Sequence, residues 1–325
     1  MSARPRLLVT RRLPARVESA LGERFDVVQD ADDRPLTGVE LRDGLRDCDA
    51  VLCTVTDRLD AACFATGPLR ARILANFGVG VNHIALEAAA RAGIVVTNTP
   101  DVLTDDTADL AILLMLAVLR RAGEGERELR AGAWTGWRPT HLLGRRLTGR
   151  TLGVVGYGRI GAAVAARAHT AFHMPVVAWT RTPPDGGAGV APAGVTFVAT
   201  LEALLAAADV VSLHVPASPS TRHLIGAPEF ARMRRGAVLV NTARGDVVDE
   251  AALVGALESG HLGGAGLDVY EGEPRVPPAL LARNDVVLLP HLGSATEETR
   301  EAMGLRALAN LEAFFRGGVP ADRVA

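Results

Sequence analysis

The chain has no surplus of either charge, very little cysteine and no long apolar run, and each shortage removes a class of protein. Its 35 Lys and Arg residues face 37 Asp and Glu residues, a net charge of −2, so no global positive field exists to hold nucleic acid or an anionic membrane. Work done by basic residues must be local. Cys48, Cys53 and Cys63 are odd in number and lack Cys-x-x-Cys spacing. That argues against a disulfide framework or a thiolate zinc site, and the reading is buried structural thiols with no metal. The longest apolar helical stretch, Leu110 to Leu119, is about half the length a bilayer span requires. Met1 to Arg6 is basic, but only Leu7, Leu8 and Val9 follow before Thr10-Arg11-Arg12, too few for a signal peptide. A cytoplasmic location is expected. No internal repeat and no low-complexity tract stands out.

What is present is the alternation of short Val/Ile/Leu-rich runs with alanine-rich amphipathic stretches, the pattern of βα units around a parallel sheet. At 325 residues, 48% of them apolar, the chain is folded throughout and long enough for two cores. The predicted strands of a first, small series are Leu7–Val9, Phe25–Val28, Ala50–Cys53, Arg72–Ala75 and Ile94–Thr97, with a helix from Ile84 to Ala92 closed by Gly93. Thr99-Pro100 breaks the series. A long helix follows within Asp101 to Arg121, acidic at its start and rich in arginine at its end, as the helix dipole favours. The second series reads Thr151–Val155, Val176–Trp179, Val195–Phe197, Val210–His214, Ala237–Val240, Gly264–Asp268 and Val286–Leu289. Thr182 to Pro192 reads as an exposed turn. A last helical pattern, Ala295 to Phe315, ends at Gly317-Gly318. It is placed to return to the first domain.

Gly156-Tyr157-Gly158-Arg159-Ile160-Gly161 follows the strand Leu152-Gly153-Val154-Val155 and opens a helix, which is the context a dinucleotide-binding Gly-x-Gly-x-x-Gly requires. The glycines allow a tight turn, close approach of backbone to a pyrophosphate, and close packing of helix on strand. The helix N-terminus supplies N–H donors and positive dipole. About twenty residues on, NAD enzymes carry an acid for the adenosine ribose 2′-hydroxyl. Here the sequence reads Trp179-Thr180-Arg181-Thr182. An arginine pairs with a 2′-phosphate that a carboxylate would repel, and the threonines can donate hydrogen bonds. NADP is therefore favoured over NAD, the other reading of Arg181 being a solvated loop residue.

Three further segments end predicted strands of the second series: Asn241-Thr242-Ala243-Arg244-Gly245, Asp268-Val269-Tyr270-Glu271-Gly272-Glu273-Pro274 and Pro290-His291-Leu292-Gly293. Ligands bind at such carboxyl ends. With Asn76-Phe77-Gly78-Val79-Gly80-Val81-Asn82-His83-Ile84, Thr107-Ala108-Asp109-Leu110 and Leu147-Thr148-Gly149-Arg150-Thr151-Leu152-Gly153, the chain resembles the D-isomer-specific 2-hydroxyacid dehydrogenases over nearly its whole length. Within them it is most similar to glyoxylate and hydroxypyruvate reductases.

The resemblance implies two doubly wound α/β parallel-sheet domains: a smaller, flavodoxin-like substrate domain of residues 1–99 plus 291–325, and a Rossmann dinucleotide-binding domain of residues 100–290. It implies hydride transfer from NADPH to a small 2-oxo acid. His291 is the expected acid/base, a histidine being able to titrate near neutrality. Glu273 is expected to orient it and Arg244 to grip the substrate carboxylate with its planar fork. Taken singly, the three also read as surface charges or a core histidine. The backbone amides of Val79 and Gly80 are expected to hold the carboxylate, or else to form an ordinary turn. Thr107, His214, Thr221, Thr242, Ala243, Asp268, His291 and Gly293 match positions near the cofactor, Asp268 otherwise simply finishing its strand. Asn82 stands where the family commonly has an aspartate and is read as a helix cap. Trp134 and Trp137 flank a Gly/Arg-rich stretch that in the family forms a dimer arm, with Trp137 reaching the partner's site; the alternative is a core aromatic pair. A homodimer is expected. Other D-2-hydroxyacid dehydrogenases, phosphite dehydrogenases and non-catalytic dinucleotide-sensing binding proteins share these motifs.

Overall fold

Strands of a parallel sheet covered by helices on both faces must be apolar along their whole length, and the Val/Ile/Leu runs are where the strands form. The structure, a computed structural model, describes residues 4–65, 67–181 and 194–325. The chain divides into two compact units, Met1–Leu103 with Ala295–Ala325, and Thr104–Ser294.

The first unit holds β1 (Arg6–Val9), β2 (Asp26–Gln29), β3 (Ala50–Thr54), β4 (Ile73–Phe77) and β5 (Val95–Thr97) in the order β2-β1-β3-β4-β5. All pairs are parallel, which is the flavodoxin order. β4 is buried from end to end. One face of the sheet packs on Leu41, Leu45 and Ala89; the other packs on Val17 and Leu21 together with Met303, Ala307 and Leu311 of the helix Glu297–Phe315. The last helix thus completes the core that the first strands begin. The chain end then lines β5, with the Val324 N–H donating to Val96 O at 2.8 Å and the Asn98 N–H donating to Asp322 O at 3.1 Å. That satisfies an otherwise open sheet edge.

The second unit holds β6 (Leu152–Val155), β7 (Val176–Trp179), β8 (Val195–Phe197), β9 (Val210–Leu213), β10 (Val238–Asn241), β11 (Gly264–Leu267) and β12 (Val286–Leu288), ordered β12-β11-β10-β9-β6-β7-β8. The order reverses between β6 and β9, which makes their carboxyl ends the switch point of a Rossmann sheet. The helix Thr104–Leu119 lies on β10 and β11. It comes so close that a Cβ on Gly266 would stand 2.9 Å from Leu114 Cβ. Only glycine fits there.

Strand and helix limits differ from the predicted ones by a residue or two, as frayed ends do. One difference matters. The helix expected from Ile84 runs over Leu86–Arg91, with Ala85 at its N-cap and no side-chain cap. Ile84 is held instead in a turn, its N–H donating to Val81 O at 3.0 Å, and bridges to Leu59. Asn82 is therefore not a helix cap. Gly93 does stand in the left-handed region, at φ +74°. The three cysteines are buried, and burial pushes their thiols up. The expected turn from Thr182 to Pro192 lies outside the described residues. Among the described residues no helix is long and apolar enough to cross a membrane.

Candidate active site

The glycine motif stands at the switch point of the larger sheet. Gly156 takes φ +94°, and a Cβ there would lie 2.8 Å from the His214 carbonyl. A Cβ on Gly161 would overlap Gly156 O, while one on Gly158 would meet nothing within 4 Å. Two glycines are thus demanded by the protein's own packing. The third opens free space at the start of the helix Arg159–Phe172, whose N-cap is Gly158 and carries no side-chain cap. This is the form of a cradle for a pyrophosphate. Beside it, His214 Nε2 shares a hydrogen bond of 2.8 Å with Ser212 Oγ. Its Nδ1 is enclosed with no partner among the described residues, and burial pushes the imidazole down to about 4. Thr242 Oγ1, just past β10, is enclosed in the same way. Two enclosed polar atoms and a glycine cradle with room above Gly158 fit a dinucleotide.

Thr180 and Arg181 directly follow β7, Arg181 being exposed; Thr182 lies outside the described residues. The Thr221 hydroxyl donates to Pro216 O at 2.7 Å and accepts the Ser218 N–H at 2.8 Å, bracing its own turn.

The candidate catalytic side chains come from three neighbouring strand ends. Arg244 leaves β10 in extended backbone and opens a short 3-10 turn, Gly245–Val247. The Asn241 side chain fixes that exit, donating to Arg244 O at 2.8 Å and accepting the Ala243 N–H at 3.0 Å. Burial lowers the Arg244 pKa, opposed by the charges of Glu273 and Asp246; a guanidinium stays protonated regardless. Glu273 accepts the Tyr270 N–H at 3.0 Å and the His291 Nδ1–H at 2.9 Å. Burial disfavours its ionised form, but the His291 bond and charge, the Tyr270 N–H and the Arg244 charge together hold the carboxyl below its usual range. The ionised acid fixes the tautomer that leaves Nε2 on the far side of the ring.

His291 itself has a left-handed backbone, φ +56°, a strain of about 1 kcal/mol for a side-chain-bearing residue. Asp268 stabilises it. Three successive amides bind Asp268: His291 N–H to its carbonyl at 2.9 Å, Leu292 N–H to Oδ1 at 2.6 Å and Gly293 N–H to Oδ2 at 2.8 Å. Burial pushes the Asp268 carboxyl up, against the opposing pull of the Leu292 amide, the His291 charge and the Gly293 amide. Thr107 Oγ1 donates to Gly293 O at 2.9 Å and closes the same loop. Asp268, Thr107 and Gly293, read from the sequence as neighbours of a cofactor, thus form the frame that shapes the His291 loop.

In the first unit, Val79 and Gly80 follow β4. Every carbonyl of the loop is occupied: Asn76 Nδ2 donates to Gly78 O at 2.9 Å and Gly80 O at 3.0 Å, Asn98 Nδ2 to Val79 O at 2.9 Å, and the Thr99 N–H to Gly78 O at 3.0 Å. With its carbonyls held, the loop is fixed in place, and no carbonyl of residues 78–80 is left without a donor. Sequence reasoning missed Asn76 and Asn98. The signal available was an amide side chain ending each of two strands beside a glycine loop. Trp134 and Trp137 are 50% and 82% exposed, which rules out a core aromatic pair.

A Rossmann sheet with a glycine cradle at its switch point, and a histidine–carboxylate–arginine set at adjacent strand ends, defines a dinucleotide-dependent oxidoreductase. The model of the D-isomer specific 2-hydroxyacid dehydrogenase NAD binding domain matches residues 112–293. A glyoxylate reductase of Korarchaeum cryptofilum is 44% identical over 99% of this chain and 96% of its own length, and one of Thermococcus litoralis is 42% identical over 99% and 97%. The structure is similar to that of an NADPH-dependent glyoxylate/hydroxypyruvate reductase from Sinorhizobium meliloti, in complex with NADP and malonate. That likeness has a TM-score of 0.88 and 40% identity, over 99% of this chain and 97% of that one. The chain belongs to the D-isomer-specific 2-hydroxyacid dehydrogenases and is an NAD(P)-dependent oxidoreductase.

Proposed function

We propose that this enzyme reduces glyoxylate or hydroxypyruvate to the D-2-hydroxy acid with NADPH. The observation that carries the reading is the Glu273–His291 hydrogen bond of 2.9 Å on strand ends next to Arg244. A nicotinamide dinucleotide held by the glycine cradle would supply the hydride for C2. His291 gives a proton from Nε2 to the carbonyl oxygen as that oxygen gains charge, and Glu273 stabilises the imidazolium beforehand. Arg244 binds the carboxylate and polarises the carbonyl. The amides of Val79 and Gly80 offer a further hold on a carboxylate.

Gly156, Gly158, Arg159, Ile160 and Gly161 cradle the pyrophosphate, and Thr107, His214, Thr221, Thr242, Ala243, Asp268, His291 and Gly293 border the rest of the dinucleotide. Arg181 with Thr180 and Thr182 reads the 2′-phosphate. The relatives named glyoxylate reductase and the NADP complex of the Sinorhizobium protein support this substrate class and cofactor. So does the lack of a carboxylate in Trp179-Thr180-Arg181. The working form is a cytoplasmic homodimer in which Trp137 borders the partner's site; its exposure supports that reading.

The test is kcat/KM for glyoxylate, hydroxypyruvate, pyruvate and phenylpyruvate with each reduced cofactor. The two small oxo acids with NADPH are expected to lead. A clear preference for NADH sinks the cofactor assignment, and no turnover of any oxo acid sinks the reductase.

A further inference from the structure

The turn that carries Glu273 is held by acids that the reaction itself does not use. Glu250 begins the helix Glu250–Glu258, and its Oε1 accepts the Glu271 N–H at 2.9 Å. The Glu271 carboxylate accepts from Arg222 Nη2 at 2.6 Å and pairs with His223 Nε2 at 3.0 Å. Arg222 and His223 lie on a segment whose backbone is tied to the chain leaving Arg244. The His223 N–H donates to Asp246 O at 2.8 Å, the Ile225 N–H to Val247 O at 3.1 Å, and the Asp249 N–H to Ile225 O at 3.0 Å. Three segments, 222–225, 246–250 and 270–273, therefore close a ring. It has no slack at Gly245, where a Cβ would overlap the Tyr270–Glu271 peptide.

We propose that Glu250 and Glu271 are positioning residues for the Arg244–Glu273–His291 set, fixing the 270–273 turn against the Arg244 turn so that Glu273 stands at bonding distance from His291. The inference deepens the function proposed above and rests on it. Glu250 is not needed to start its helix, because Asp249 already caps it, accepting the Ala252 N–H at 3.0 Å. Burial and the neighbouring Glu271 and Glu273 charges all push the Glu250 carboxyl up, so an acid here works against electrostatics. Its return is the single bond to the Glu271 amide, two residues before Glu273. Slackening such a turn by about 1 Å is enough to lower turnover on the order of a hundredfold.

The experiment is the pH profile of kcat for glyoxylate reduction by NADPH in the full-length enzyme, for Glu250→Ala, Glu250→Gln and Glu271→Gln beside Glu273→Gln. Glu250→Ala is expected to lower kcat about 10- to 100-fold and move the profile towards that of Glu273→Gln, with KM for NADPH unchanged. Glu250→Gln keeps a carbonyl acceptor and should recover most of the loss. Glu271→Gln should fall between. A wild-type profile in Glu250→Ala overturns the proposal, as does Glu250→Gln being as impaired as the alanine variant. Should Glu250→Ala not fold, a wild-type profile in Glu271→Gln overturns it. Wild-type turnover in Glu273→Gln has a different meaning: it removes the role given to Glu273, and this proposal with it.

Discussion

The two sheets share one parallel plan, yet their carboxyl ends are chemically unlike. β10, β11 and β12 end in ionisable side chains, with Glu273 bonded to His291 and electrostatically coupled to Arg244. β4 ends in bare backbone whose carbonyls are held by the neutral amides of Asn76 and Asn98. A side chain can change its protonation or aim during a reaction; a backbone amide cannot. Under the proposed function the changing charge belongs to the larger sheet, while the smaller offers backbone amides alone.

The largest effect that tests this division is expected from Arg244→Gln, which should lower kcat/KM for the oxo acid about 10²- to 10³-fold while leaving KM for NADPH within about twofold. Loss in the cofactor KM instead would show that Arg244 belongs to the dinucleotide site. Next is Asn98→Ala in the smaller sheet. With one brace of the loop gone, KM for the oxo acid should rise about fivefold, the equivalent of one ordinary hydrogen bond of about 1 kcal/mol, and kcat should hardly move. A fall in kcat with constant KM would give the smaller sheet a part in the chemical step and break the comparison.

The last effect concerns stability and not turnover. Burial holds His214 down at about 4, whereas in the unfolded chain a histidine takes its proton near pH 6.5. Its contribution is therefore complete above about pH 6.5 and is lost as pH falls towards 4. His214→Asn should flatten the acid side of the urea-midpoint profile over that window by up to about 3 kcal/mol. An unchanged slope would show that the larger sheet's end does not titrate as described.

Much of this site is legible in the chain itself because its chemistry is tied to residue type. Only glycine fits at Gly156 and Gly161, and Arg244 follows a buried strand at the carboxyl edge of the sheet, where α/β proteins bind ligands. Glu273 and His291 needed the family resemblance to be paired, since nothing local joins residues on different strands. Asp268 shows the limit: its bonds to the Leu292 and Gly293 amides span 24 and 25 residues, and from sequence it read as a cofactor neighbour or a strand end. Asn82 was misread for a related reason. The bridge from Ile84 to Leu59 delays the helix, and a propensity for capping cannot foresee a long-range bridge.

The sequence by itself determined the order of strands and helices, the glycine turn and the inventory of reactive groups, because periodicity, φ freedom and side-chain chemistry are local properties. Tertiary structure decided which of those groups meet. The register of Asn241 with Leu267, and of Leu267 with Leu288, brings three separate strand ends level. The long-range bonds of Asp268 then hold His291 in a left-handed backbone that its own residue type disfavours. Asn76 and Asn98 likewise occupy the carbonyls of residues 78–80. Distance and orientation come from packing between segments far apart in the chain, and the acids at Glu250 and Glu271 acquire a meaning only there.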